Sequence, residues 1–284
     1  MIDISTISPV DEKAVQQTIE AIRNEINAIG FPDRDQLINM LNFVDLTTLE
    51  GTDNADRVEQ LCEKALYLPE HGEGIRGVAA VCVYPPFVAL ACEILQGTGI
   101  KVASVAGAFP SGQLPVHLKV AEVEYAVEQG ADEIDIVISR GIFLEGEYGQ
   151  VFDEIALMKE ASGDAHFKVI LETGELGSLT NIKGASMIAI EAGADFIKTS
   201  TGKIQPAATP EAAWVMLTCI KEHYEKTGKR IGFKAAGGIS DPLQALLYTK
   251  LVEKILGKDW LNNSLFRIGA SRLVDRLMEK IVTI

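Results

Sequence analysis

Two rhythms of hydrophobic and polar positions alternate along the chain. From about residue 41, short β-branched runs are followed by longer stretches in which apolar residues recur every three or four positions. The runs fall at 42–47 (NFVDLT), 77–83 (GVAAVCV), 101–107 (KVASVAG), 132–138 (DEIDIVI), 167–172 (FKVILE), 195–199 (DFIKT), 231–235 (IGFKA) and 265–269 (LFRIG). A helical pattern follows each, clearest over 113–129, 178–192 and 209–226. Strands apolar on both faces belong to parallel sheets covered by helices, and eight of them alternating with helices predict an α/β fold, a closed (β/α)8 TIM barrel.

An internal echo supports this reading. Residues 126–135 read AVEQGADEID and residues 189–198 read AIEAGADFIK. In both, a helix ends at a glycine placed for a C-cap, and Ala-Asp leads into a buried strand, which marks strands four and six. Ahead of the barrel, 8–29 reads as an extra amphipathic helix with Ser8 as its N-cap and Pro9 at its first position. The expected division is therefore a helical extension over 1–40 and a catalytic barrel over 41–284. The uncharged run 77–92 (GVAAVCVYPPFVALAC) is cut by Pro85-Pro86, so it predicts a strand and a helix start rather than a membrane span.

Composition narrows the class. At 284 residues and 47% hydrophobic content the chain can fill one barrel. A net charge of −14 argues against nucleic-acid or anionic-membrane partners, which need a basic face. Cys62, Cys82, Cys92 and Cys219 form no CxxC and no metal-like pairing with histidine, as expected of reduced thiols in the cytoplasm. Residues 1–12 lack the basic and apolar regions of a secretory signal. With no HExxH and no nucleotide fingerprint, neither a metal nor another cofactor is expected. His117, His166 and His223 read as surface or packing residues at helices or helix ends.

The chemistry shows as charge inside apolar strands. Asp135, Lys168, Lys198 and Lys234 fall on consecutive strands four to seven. If they point inward they meet in the lumen, near the strand ends where barrels of this kind place their active groups. Such crowding is costly unless one lysine must be uncharged. An amine attacks a carbonyl only as the free base, and lowering a lysine from ~10.4 to neutrality requires about 4.6 kcal/mol. A second ammonium ~5 Å away supplies about 3.3 kcal/mol at an effective dielectric of ~20. Partial desolvation covers the remainder. The competing reading, lysines snorkelling to solvent from strand ends, fits a single lysine better than the Lys198 and Lys234 pair.

Around these groups lie Thr199-Ser200-Thr201-Gly202-Lys203 after strand six, Gly237-Gly238 after strand seven and Gly269-Ala270-Ser271 after strand eight. Loops seven and eight are where this fold holds phosphate. Asp45 and Thr47 on strand one could bind a substrate hydroxyl or hold a lysine in place. Cys82 reads equally well as a small core residue.

The strings FVDLTTL (43–49), AAVCVYP (79–85), GADEIDIV (130–137), KVILETGEL (168–176), GADFIKTSTGK (193–203), GFKAAGGI (232–239) and FRIGAS (266–271) resemble the deoxyribose-phosphate aldolase family, over roughly residues 41–275. The resemblance implies reversible cleavage of 2-deoxy-D-ribose 5-phosphate to D-glyceraldehyde 3-phosphate and acetaldehyde through a lysine Schiff base, in deoxyribonucleotide catabolism. It implies Lys198 as the nucleophile, Lys234 as the lysine that depresses its pKa, and Asp135 as an acid/base acting with water. It further implies substrate contacts at Asp45, Thr47, Cys82 and Lys168, a phosphate end at Thr201, Gly202, Lys203, Gly237, Gly238 and Ser271, and a homodimer. The chain departs from the family pattern at Ala235, where some members have proline, at Arg272, where a second serine is common, and in ending without the tyrosine some members use. A different Schiff-base aldolase, a barrel isomerase with a carboxylate base and a non-catalytic sugar-phosphate binder are the competing functions.

Overall fold

A computed structural model describes residues 7–283. The first six residues, part of the stretch read as free of a secretory signal, lie outside them, as does Ile284. Eight strands run β1 (Val44–Thr47), β2 (Ala80–Val83), β3 (Lys101–Ala106), β4 (Glu133–Val137), β5 (His166–Ile170), β6 (Phe196–Lys198), β7 (Gly232–Ala236) and β8 (Phe266–Ala270). All pairings are parallel, in sequence order, and β8 returns to β1. This is the (β/α)8 barrel that the alternation predicts.

Helices α1 (Glu12–Ile29) and α2 (Arg34–Leu41) precede β1. Then α3 (Ala55–Tyr67), α4 (Val88–Ile94) and α5 (Val116–Glu128) follow the first three strands. The β4–β5 crossover carries both α6 (Arg140–Leu144) and α7 (Tyr148–Ala161). The ring closes with α8 (Leu179–Glu191), α9 (Pro210–Thr227), α10 (Pro242–Leu256) and α11 (Leu273–Ile281). Local chemistry sets the starts: Thr209 caps α9 ahead of Pro210, and Asp241 and Gln244 form a capping box at α10. Among the described residues no helix is long and apolar enough to cross a membrane. The run 77–92 is divided between β2 and α4 as its prolines predict.

Side-chain alternation divides each strand between two environments. Outward positions such as Leu46, Val81, Ile136, Val169, Ile197, Phe233 and Ile268 join the large core beneath the helices. Inward positions on β4 to β8 carry charge, while β2 and β3 contribute Cys82, Ala103 and Val105 to a small separate cluster. Phe196 fills one level of the lumen because its neighbour across the seam is Gly232, where a Cβ would meet the ring at 2.4 Å.

Three expectations change. Helix α1 begins at Glu12, not near Ser8, because Asp11 accepts the Ala14 N–H, while the Val10 N–H is engaged 3.0 Å away by the Thr180 hydroxyl. The short α2 was not anticipated; it packs on α10 and α11, and α1 packs on α9 and α10. His166 opens β5 beside Glu133 rather than ending a helix.

Candidate active site

Register explains how the charged positions converge. Asp135 lies beside Lys168, Lys198 beside Lys234, and Lys234 beside Arg267. All point into a lumen with almost no solvent access. Their contacts form a closed ring of alternating sign. Arg267 donates to Asp45 at 2.6 Å and to Glu133 at 2.7 Å, and Lys168 donates to Glu133 and Asp135, both at 2.7 Å. Lys234 completes the circuit, 2.7 Å from Asp135 Oδ2 and 2.5 Å from Asp45.

Three carboxylates therefore face three cations, and the ring is neutral. Lys198 is outside that count. Its Nζ lies 2.8 Å from Asp135 Oδ2, the oxygen already used by Lys234. A proton on Lys198 would add an uncompensated positive charge to a buried neutral cluster.

The pKa directions agree with this geometry. Burial, with Lys234 nearby, lowers Lys198 despite the opposing pull of Asp135. Burial acts the same way on Lys234, but Asp135 and Asp45 outweigh it and raise its pKa. Asp135 and Glu133 likewise outweigh burial at Lys168, which is raised. Burial pushes the Asp135 carboxyl up, yet Lys168, Lys198 and Lys234 together hold it well below the usual range. Crowding by Lys234 was expected to be the main cause at Lys198. Desolvation comes first, because the charge of Lys234 is largely spent on its own two carboxylates.

Above the ring opens a pocket of about 310 Å³. Lys198 lines it, together with Thr47, Thr201, Gly202, Lys203, Gly237, Gly238 and Ser271. These belong to the ends of β1, β6, β7 and β8, so one wall is an amine and the opposite wall is small residues with exposed backbone. Gly237 has φ +88°, and a Cβ there would stand 2.6 Å from Ala207 Cβ and 3.0 Å from Gly202 Cα. Only glycine lets the two loops approach this closely.

Five sequence candidates lie elsewhere. Asp45, Asp135, Lys168 and Lys234 form the ring beneath the pocket and do not line it. For Asp45 the alternative of holding a lysine in place is the observed contact, and Lys168 is occupied by Glu133 and Asp135. Cys82 is fully buried beside Leu49, Ala103 and Val105, and burial raises its thiol pKa. Neither Asp45, Lys168 nor Cys82 has a face on the pocket to offer a substrate in this arrangement.

Several residues were missed. Glu133 and Arg267 close the ring; both are charges inside apolar strands, the same signal that revealed the lysines. Glu50, Gln205 and Ser240 also line the pocket, as does Arg272, already marked in the sequence as a departure next to Ser271. Lys203 reaches across the mouth to Glu50 at 2.9 Å. Buried Glu172 takes the Thr201 hydroxyl and its N–H, and Arg140 reaches the same carboxylate at 3.2 Å. Glu172 adopts φ +54°, strain that its contacts to the β6 loop hold in place.

Fold and site define a TIM barrel with a surplus buried amine at the floor of a pocket lined by glycines, hydroxyls and the Lys203 and Arg272 cations. A family model described as DeoC/LacD family aldolase matches residues 39–255, and the chain belongs to that family. The human deoxyribose-phosphate aldolase is 44% identical, with 99% of this chain and 92% of the human protein covered. The mouse deoxyribose-phosphate aldolase is 46% identical over 86% of this chain and 80% of its own. A tetrameric deoxyribose phosphate aldolase from Aeropyrum pernix superposes with a TM-score of 0.64 at 26% identity, covering 88% of this chain and 98% of that one. Membership in an aldolase family removes the isomerase and the non-catalytic binder from the competing functions.

Proposed function

We propose that the chain catalyses reversible retro-aldol cleavage of 2-deoxy-D-ribose 5-phosphate to D-glyceraldehyde 3-phosphate and acetaldehyde. The observation that carries this reading is the neutral ring with Lys198 left over. Lys198, the lysine left without a carboxylate of its own, adds as the free amine to the C1 aldehyde; loss of water gives an imine, and a proton taken up from water makes it the iminium. The C3 hydroxyl gives up its proton, the C2–C3 bond breaks, and its electron pair flows to the iminium nitrogen. Glyceraldehyde 3-phosphate leaves, and an enamine of acetaldehyde remains for protonation and hydrolysis.

The charge balance favours both halves of this sequence. The surplus that disfavours a lysine ammonium also disfavours the iminium, which is thereby a strong electron sink. Collapse to the uncharged enamine restores neutrality in the lumen. Asp135, ionised throughout the ordinary pH range, is the anion beside the iminium and the base that takes the C3 hydroxyl proton through water. Lys234 and Lys168 fix the Asp135 carboxylate from its two oxygens. Thr201, Gly202, Lys203, Gly237, Gly238 and Ser271 receive the phosphate, with Lys203 exchanging Glu50 for the incoming anion.

In this reading residues 1–40 are an extension outside the catalytic barrel, supported by the packing of α1 and α2 on α9, α10 and α11. A cytoplasmic location, deoxyribonucleotide catabolism and a homodimer follow from the family resemblance. The test is incubation with 2-deoxyribose 5-phosphate and separate assay of the two products. Acetaldehyde and glyceraldehyde 3-phosphate in equal amounts are expected. No cleavage by the folded protein would reject the proposal.

A further inference from the structure

We propose that Arg267 is a positioning residue for the nucleophile, closing the far side of the ring with the fixed positive charge that leaves Lys198 free to remain an amine. This rests on the reading of Lys198 as the imine-forming group. Arg267 neither lines the pocket nor touches Lys198; its guanidinium bridges Asp45 on β1 and Glu133 on β4. Its Nε also donates to the Asn263 carbonyl, which anchors the side chain at the start of β8.

The residue type matters. A guanidinium does not release its proton in a protein, so this corner of the ring is positive at every working pH. The titratable and charged groups buried in the lumen on the other strands are Asp135 and Glu133 on β4, Lys168 on β5, Lys234 on β7, Arg267 on β8, Asp45 on β1 and Cys82 on β2; Asp135, Lys234 and Cys82 act on Lys198 directly. The inward positions of β3, Ala103 and Val105, carry no charge. Within this set the carboxylates of Asp45, Glu133 and Asp135 are matched by Arg267, Lys168 and Lys234.

Without Arg267, three carboxylates would face two cations. The smallest repair is a proton on Lys198, which already stands within hydrogen-bond distance of Asp135. The nucleophile would become the third cation of the ring and lose its reactivity at neutral pH. Control of the amine thus passes through Asp45, Glu133 and Asp135, not through a direct contact.

The experiment is the pH dependence of borohydride trapping with acetaldehyde, for wild type, Arg267→Met, Glu133→Gln and the double variant. Arg267→Met should move the midpoint upward by about one unit or more. The double variant, with two carboxylates facing two cations, should return it towards wild type, a rescue that a purely structural role does not produce. Circular dichroism and thermal unfolding establish which variants fold. Should Arg267→Met fail to fold, Glu133→Gln carries the test alone: it leaves the ring with excess positive charge and must lower the midpoint. An unchanged midpoint in either single variant, or a double variant no closer to wild type than Arg267→Met, would overturn the inference while leaving Lys198 as the imine residue. Failure of the wild type to trap at any pH would instead remove the functional reading itself.

Discussion

Lys198 and Lys234 are direct neighbours across the β6–β7 seam, and their side-chain nitrogens converge on one oxygen of Asp135. The two lysines are nevertheless opposite in character. Lys234 has a second carboxylate, Asp45, and stays charged; Lys198 has only the shared oxygen and the open pocket. One extra anion at hydrogen-bond distance separates a structural cation from a nucleophile.

Replacing Lys234 with methionine therefore removes a ring member, not merely a repelling neighbour. Asp45 and Asp135 would then draw a proton onto Lys198. Activity at pH 7 should fall roughly 100-fold, for a rise of about two pKa units, and recover as the pH is raised. The pH–rate profile checks this; a normal rate with an unchanged profile would contradict it.

Asp135→Asn separates base from nucleophile. Loss of the carboxylate leaves Lys198 uncharged, so acetaldehyde should still be trapped. Cleavage of the phosphosugar should drop about 10²–10⁴-fold, the usual range for a lost general base. Parallel measurement of trapping and turnover decides, and equal loss of both would reject the assignment.

Lys198 should also destabilise the fold. Its folded pKa is below the ordinary 10.5, so between the two values the unfolded chain binds a proton that the native state refuses. Lys198→Met should raise unfolding stability by roughly 1–3 kcal/mol at pH 7, read from urea titration. The same linkage has the opposite sense for Asp45 and Asp135, whose folded pKa values lie below the usual 3.8. Their contribution is intact above about pH 4 and is lost as the pH falls through the depressed folded values. Lys168 and Lys234, raised above 10.5, keep theirs up to that pH and lose it only beyond.

At the anion end, Gly237→Ala should damage binding more than chemistry. The added methyl meets Ala207 and the Gly202 backbone, and φ +88° is strained for alanine. A tenfold or greater rise in KM for the phosphosugar, about 1.4 kcal/mol, is expected with smaller change in kcat. Inorganic phosphate titration provides an independent check. Undiminished phosphate binding would contradict the placement.

Much of the molecule was legible because periodicity and charge carry the information. Each of the eight strands overlaps its sequence window, with ends shifted by at most three residues and β5, β7 and β8 running one residue beyond theirs, and Lys168, Lys198, Lys234 and Asp135 stand out as charges in apolar runs. Glu133 and Arg267 carry the same signal, but near the entrance of their strands a charge resembles an ordinary edge residue. The ring itself was not legible. Arg267 meets Glu133 across the lumen from β8 to β4, a contact set by barrel closure and shear, not by sequence spacing. Nor does any local pattern announce that Glu172 takes a left-handed backbone to hold Thr201.

The central claim is that the amine of position 198 bonds the substrate carbon. Incubation with acetaldehyde, reduction with borohydride and peptide mass mapping measure it directly. The account predicts a single two-carbon adduct on Lys198, absent in Lys198→Met. No adduct, or one confined to Lys168, Lys203 or Lys234, would contradict it.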